Sequence, residues 1–320
     1  MATTPLPRLR IAHLPTPVEP LPRLSAALGG VRLWIKRDDE TGLALGGNKT
    51  RKLEYLVAQA QADDARTLIT RGAAQSNHCR QTAAAAARFG FDCMLVLKGG
   101  PPPQPNGNLL LDRLLGAELV WSGDRDPEMV LRETFDEAQT GGRRPYLIPY
   151  GGSSPTGALA YAEAIREFQG QGIEVDRIVF ASSSGGTQAG MVAGSRAYRL
   201  AARIYAISVD QPAARLQAQV ATLAGEVAEL IGGREGFDAT AIEVDDRFLG
   251  GGYGVLSDRE REAIGLFARM EGILLDPVYT GRAAAGLLEL IRSREISPEE
   301  RVLFWHTGGT PALFAYAEQL

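Results

Sequence analysis

Short apolar runs alternate with helical patterns along nearly the whole chain. The runs predict strands over Val31–Lys36, Thr67–Arg71, Cys93–Leu97, Glu118–Trp121, Tyr146–Pro149, Arg177–Phe180, Arg203–Val209 and Val302–His306. Continuous runs this short, several of them β-branched or aromatic, are how strands covered on both faces read. Between them, apolar positions recur at helical spacing over Lys52–Ala62, Gln81–Phe89, Asn108–Leu115, Gly157–Phe168, Thr187–Leu200, Asp258–Glu271 and Ala283–Ser293. Ser257 with Glu260 three residues on fits a capping box opening one of these helices. Repeated strand–loop–helix units predict an α/β fold with parallel sheet.

A chain of 320 residues predicts about two domains. Its net charge of −4 argues against nucleic acid or an anionic membrane as the main partner. No apolar stretch reaches the ~18 residues a membrane span needs. Met1 to Arg10 holds no apolar core, so no secretory leader is expected. The two cysteines, Cys79 and Cys93, form no disulfide framework and no zinc spacing, which predicts a reducing compartment and no metal.

Glycine changes the picture. The chain holds 37, about 12% against a usual ~7%. They gather at Gly46-Gly47, Gly99-Gly100, Gly151-Gly152, Gly185-Gly186, Gly250–Gly254 and Gly308-Gly309, mostly just after a predicted strand. Each pair alone reads as turn chemistry. Together they predict a ligand crevice beyond the carboxyl ends of the strands, where glycine lets backbone amides approach an anion.

Four segments could carry chemistry. In Gly46-Gly47-Asn48-Lys49-Thr50-Arg51-Lys52, a lysine stands near a helix N-terminus, where the macrodipole disfavours its charge. It is then solvated, paired with an anion, or held partly neutral and able to form a Schiff base. A nucleotide phosphate loop is excluded because Asn48 separates Gly47 from Lys49. Ser182-Ser183-Ser184-Gly185-Gly186-Thr187 follows a strand and opens a helix, which makes either a phosphate cup or an ordinary capped turn. In Gln75-Ser76-Asn77-His78, Asn77 can serve as an N-cap, and Ser76 lacks a hydrolase elbow. The C-terminal part brings Tyr253, Asp276-Pro277-Val278-Tyr279-Thr280 and His306-Thr307-Gly308-Gly309, with phenols as candidate acids or bases and His306 readable as a core histidine.

The segments from Gly46 to Glu54, Gln75 to His78, Asp276 to Gly281 and His306 to Leu313, in this order, resemble the D-cysteine desulfhydrase and 1-aminocyclopropane-1-carboxylate deaminase family of pyridoxal-phosphate enzymes. The resemblance runs from about Pro15 to Tyr316. It implies the tryptophan synthase β-like fold (fold type II), with two open twisted α/β domains and pyridoxal 5'-phosphate between them. It places the large domain at residues 1–47 and 158–320 and the small inserted domain at 48–157. It also implies a cytoplasmic homodimer acting on a small amino acid.

Position by position, the resemblance implies that Lys49 forms the Schiff base with the cofactor. Lys52 and the Ser183, Ser184, Gly185, Gly186 and Thr187 cup hold the phosphate, and Asn77 binds the phenolic oxygen. Ser76 contacts the substrate carboxylate, and Tyr253 and Tyr279 are the two active-site tyrosines. The ring-opening deaminases carry Glu after the second tyrosine and Leu after the C-terminal histidine; this chain has Thr280 and Thr307. A carboxylate by the pyridine nitrogen strengthens the ring as an electron sink, whereas hydroxyls suffice for expelling a thiol. The expected reaction is therefore α,β-elimination from D-cysteine to pyruvate, sulfide and ammonia. The alternatives are L-cysteate sulfo-lyase, 1-aminocyclopropane-1-carboxylate deaminase, or a non-catalytic binder of a phosphorylated metabolite.

Overall fold

The computed structural model describes residues 6–233 and 236–320. Residues 1–5, part of the stretch read for a leader, lie outside the described residues. In chain order the elements are β1 (Val18–Pro20), α1 (Pro22–Ala27), β2 (Arg32–Arg37), α2 (Asn48–Ala62), β3 (Thr67–Gly72), α3 (Asn77–Phe89), β4 (Asp92–Leu97), α4 (Gly107–Leu114), β5 (Glu118–Trp121), α5 (Pro127–Thr140), β6 (Pro145–Leu147), α6 (Pro155–Gly170), β7 (Arg177–Ser182), α7 (Gly186–Ala197), β8 (Arg203–Ser208), α8 (Ala213–Leu230), β9 (Glu243–Asp245), α9 (Asp258–Glu271), α10 (Thr280–Arg292) and β10 (Arg301–His306).

All eight predicted strands and all seven predicted helices are present, with shifted ends. Beyond them stand β1, β9, α1, α5 and α8. The strands form two sheets. The larger has the order β1-β2-β10-β7-β8-β9, and the smaller β5-β4-β3-β6. Every pairing is parallel except β1 with β2. The α/β fold with parallel sheet is as expected.

Burial explains the continuous apolar runs. All six residues of β7 are buried, because helices cover both faces of the larger sheet. One layer packs α9 and α10 residues such as Phe267 and Leu287 against Val179 and Phe304. The other packs Tyr161, Ile165 and Phe168 of α6 against Phe180 and Trp305. Around the smaller sheet, the Ala-rich α3 sits with α2 on one face and α5 on the other. The capping box forms as expected: the Ser257 side chain and the Glu260 side chain each accept from the other's backbone.

Helix α2 joins the two sheets. It packs on α6, and its Arg51 binds Asp38 at 2.8 Å and Glu167 at 2.8 Å. Asp38 also accepts from Tyr161 at 2.6 Å and from the Trp305 indole at 2.8 Å. This buried cluster holds the first turn of α2, and so the backbone of Lys49, against the larger sheet. No described helix is long and apolar enough to cross a membrane.

Candidate active site

Loops from the carboxyl ends of five strands, taken from both sheets, converge on one cavity. The loop after β2 ends at Gly47 and delivers Lys49 on α2. The loop after β3 brings Ser76 and Asn77, and the one after β6 brings Tyr150 and Gly151. Ser183–Gly185 follow β7, and Thr307-Gly308 follow β10. This is where open parallel sheets bind ligands.

The approach of these loops needs glycine. Gly308 has φ +86°, and a Cβ on it would lie 2.6 Å from Gly47 Cα. Gly151 has φ +64°, and its Cβ would lie 2.3 Å from Ser184 Oγ. Side chains at either position would fill the crevice.

Lys49 is the sole charged side chain among the described residues lining the cavity. Its amine donates to Gly151 O at 3.1 Å, and Lys52 donates to the same oxygen at 3.1 Å. No carboxylate binds either amine among the described residues. Burial therefore lowers both lysines. Lys49 falls to about 8, and Lys52 falls further because Lys49 stands beside it.

Opposite stands the N-terminus of α7. Its cap is Gly185, with φ +74° and no side chain to close the turn, so first-turn N–H groups remain without helical acceptors. Asn48 Nδ2 donates to Thr187 Oγ1 at 3.1 Å, and Ser153 Oγ bridges Ser184 Oγ at 2.8 Å and Gly186 N at 3.2 Å. Ser182 Oγ is buried without a partner among the described residues. Two amines sharing one acceptor, an uncapped helix end and an unpartnered hydroxyl make a donor set suited to a phosphate.

On the far side, Tyr253 and Tyr279 share a hydrogen bond of 2.8 Å with their rings edge to face. Tyr253 is 36% exposed at the rim. Burial first, and then neighbouring phenols, push both above the usual tyrosine value.

Most expected site residues line the cavity together: Lys49, Ser76, Asn77, Ser183, Ser184, Gly185, Thr187, Tyr253, Tyr279 and Thr307. Lys52 and Gly186 stand just behind the wall. Thr280 is fully buried, with its hydroxyl donating to Asp276 Oδ1 at 2.8 Å and accepting from Asp276 N at 2.8 Å. It is absent from the cavity lining. Asn77 is not the cap of α3; Ser76 is, accepting from Cys79 N at 3.2 Å. Asn77 already has helical backbone, and its side-chain oxygen accepts from Asn108 Nδ2 at 2.8 Å. His306 is a core histidine. Burial lowers it, and Gly308 N donates to its Nδ1 at 3.2 Å.

Sequence reasoning missed Tyr150, which lines the cavity under the Arg71 guanidinium at 4.5 Å. It also missed Asp210, which accepts from Ser183 Oγ at 2.9 Å. Neither sits in a motif; both arrive through the packing of distant loops. Asp276 was seen as part of its segment but not for its work. Its carboxylate accepts from the backbone of Val278, Tyr279 and Thr280 at 2.7–3.0 Å and fixes the turn that aims Tyr279.

The model of the pyridoxal-phosphate dependent enzyme family matches residues 9–308. The chain belongs to that family. A D-cysteine desulfhydrase of Salmonella choleraesuis (strain SC-B67) is 43% identical over 98% of this chain and 97% of its own. The crystal structure of an ACC deaminase homologue superposes with a TM-score of 0.91 at 38% identity, covering 98% of this chain and 95% of that one. A more distant likeness, to an O-ureido-L-serine synthase, has a TM-score of 0.68 at 18% identity, covers 97% and 92%, and concerns the fold alone. The fold is the one the family shares, and pyridoxal phosphate is the family's cofactor.

Proposed function

We propose that this chain is a carbon–sulfur lyase that eliminates sulfide from D-cysteine to give pyruvate and ammonia. One observation carries the reading: Lys49, buried, low in pKa and alone in charge, faces the uncapped end of α7 across the crevice. The 43% identical relatives named D-cysteine desulfhydrase support the substrate. Among the described residues, no second cation lines the cavity to receive a sulfonate, which favours a thiol over L-cysteate. Thr307, a hydroxyl and not a carboxylate, lines the floor, which favours a good leaving group over ring opening.

Bound there, pyridoxal 5'-phosphate would supply an aldehyde for an amine and a ring that takes up the electron pair released at the substrate's α-carbon. Lys52 and the Ser183–Thr187 loop would hold its phosphate, Asn77 its phenolic oxygen and Lys49 its aldehyde carbon. Lys49 is an amine of lowered pKa placed to take the substrate's α-proton. Ser76 Oγ accepts from Cys79 N, so its own hydrogen is left for the substrate carboxylate, aided by the α3 dipole. Tyr279, paired with Tyr253, keeps its proton well above neutral pH and can give it to the departing sulfur. Thr280 acts indirectly, by locking Asp276 and the Tyr279 turn.

The reading extends to organisation. The separate sheet of β3–β6 supports a small unit at 48–157 inserted in a large one at 1–47 and 158–320. Because α6 starts at Pro155, the upper boundary cuts its first turn. A cytoplasmic homodimer completes the proposal; two buried free cysteines fit a reducing compartment.

The test is a substrate screen with D-cysteine, L-cysteine, L-cysteate and 1-aminocyclopropane-1-carboxylate. D-cysteine is expected to release sulfide and pyruvate fastest. Efficient 2-oxobutyrate from the cyclopropane substrate would overturn the reading of the two threonines. A purified protein without a visible cofactor band, or a band that survives Lys49→Ala, would overturn the role of Lys49.

A further inference from the structure

Behind Asn77 lies a buried polar cluster that the proposed chemistry leaves unused. Asn77, Arg80 and Asn108 are all buried, the last two completely. Asn108 Nδ2 donates to Asn77 Oδ1 at 2.8 Å and to Gln75 O at 2.9 Å. Arg80 Nη1 donates to Asn108 Oδ1 at 2.9 Å and approaches Asn77 Oδ1 at 3.4 Å. Its Nη2 donates to the carbonyl of Gly46, three residues before Lys49.

The two ends of an amide differ only in whether they donate or accept. Here Oδ1 of Asn77 faces two donors. A flipped amide would set NH₂ against the NH₂ of Asn108 and a guanidinium, leaving buried donors unpaired. Nδ2 therefore lies on the side of Gly309, where it has no acceptor among the described residues. A Cβ on Gly309 would sit 2.8 Å from Nδ2 and cover it. Asp112 makes no hydrogen bond among the described residues, so no carboxylate pairs with the guanidinium behind the amide.

We propose that Asn108 and Arg80 are positioning residues that force Asn77 to present a polarised N–H donor to the cavity, aimed at a phenolic or anionic oxygen. The proposal rests on the reading above, in which that oxygen belongs to the cofactor ring. Arg80 does a second task with the same group, since its grip on Gly46 ties the Asn77 donor to the loop that carries Lys49.

The test uses the full chain reconstituted with pyridoxal 5'-phosphate. Asn108→Asp keeps the shape and still accepts from Arg80 but cannot donate to Asn77. Two quantities are read for wild type, Asn77→Ala, Asn108→Asp and Arg80→Lys: the pH midpoint of the cofactor's visible band, and the cofactor Kd by fluorescence quenching. A donor on the ring oxygen draws off negative charge and loosens the proton that oxygen helps to hold, so losing the donor moves the midpoint up. Asn108→Asp is expected to raise it by about one pH unit, in the direction of Asn77→Ala, and to weaken binding about tenfold. Arg80→Lys, which keeps the charge, is expected to shift it less. Asn108→Ser, smaller and neutral, is measured beside Asn108→Asp and is read the same way if the aspartate variant does not fold. A shift in Asn77→Ala with wild-type values in both Asn108 variants overturns the proposal alone. No shift in Asn77→Ala, or no cofactor uptake by wild type, overturns the underlying reading of the site and the proposal with it.

Discussion

The amines of Lys49 and Lys52 meet at a single acceptor, the carbonyl oxygen of Gly151, each 3.1 Å from it. Two buried amines cannot both stay charged around one neutral oxygen without an anion nearby. The apoprotein should therefore be stabilised by inorganic phosphate. At a hundred times its Kd, phosphate adds about 2.7 kcal/mol to unfolding, seen as a rise in melting temperature. Lys52→Met should abolish that rise.

The lowered pKa of Lys49 sets a pH dependence. Below about 8 its amine is protonated and cannot attack an aldehyde; above, it is neutral. Cofactor capture by apoprotein, followed by stopped-flow absorbance, should quicken about tenfold per pH unit up to pH 8 and then level off. A rate still climbing at pH 10 would mean an ordinary lysine.

Asp112 should make stability fall as pH rises. Burial lifts its carboxyl to about 8 from an ordinary 3.8, against the opposing pull of Arg80. Between those values the folded state holds a proton that the unfolded state releases, so each step up in pH favours unfolding. Asp112→Asn removes the titration. It should match wild type near pH 4 and exceed it at pH 8.5 by several kcal/mol, about 1.4 for each unit of the shift, measured by urea unfolding at both pH values.

The two tyrosines should separate in kinetics. Tyr279→Phe removes the inner phenol, and kcat for sulfide release should drop by about 10² to 10⁴. Tyr253→Phe, at the rim and replaceable by water, should cost about tenfold. Because both phenols titrate above the usual range, neither should limit the rate at pH 9.5.

Gly308→Ala should damage the site without touching any polar side chain. Its Cβ would press on Gly47 Cα at 2.6 Å with φ at +86°. About 1–3 kcal/mol of stability should go. Gly47 caps α2, so cofactor occupancy, read from the visible band, should fall with it.

Legibility in the sequence followed locality. Eight of the ten strands read clearly because each is a short apolar run, most with a glycine soon after. Helix α8 was legible but unread: Leu216, Val220, Leu223, Ala224 and Val227 repeat at helical spacing on its buried side. So was α5, with Asp126 as its cap and Pro127 in its first turn. Strands β1 and β9, three residues each, are too short to hold a pattern. In the site, the glycine loops and lysines announced themselves by type and spacing. The hydroxyl of Thr280 did not, because its commitment to Asp276 depends on a turn four residues wide. Asp210 and the Arg80–Asn108 pair were out of reach because their partners stand 27 and 28 residues away.

The order β2-β10-β7 has a bearing on how the protein is made. Strand β10, at Arg301–His306, lies between β2 and β7, at the centre of the larger sheet. Strand β2 leaves the ribosome some 265 residues earlier, which at 5–20 residues per second is roughly 13–50 s. Through that interval β2 and β7 cannot meet their common neighbour. The Thr307-Gly308 wall of the crevice does not yet exist, although Lys49 is already synthesised. On the proposed role of Lys49, cofactor loading is thus a late event of biogenesis, and the nascent chain carries that amine through synthesis with no finished pocket around it.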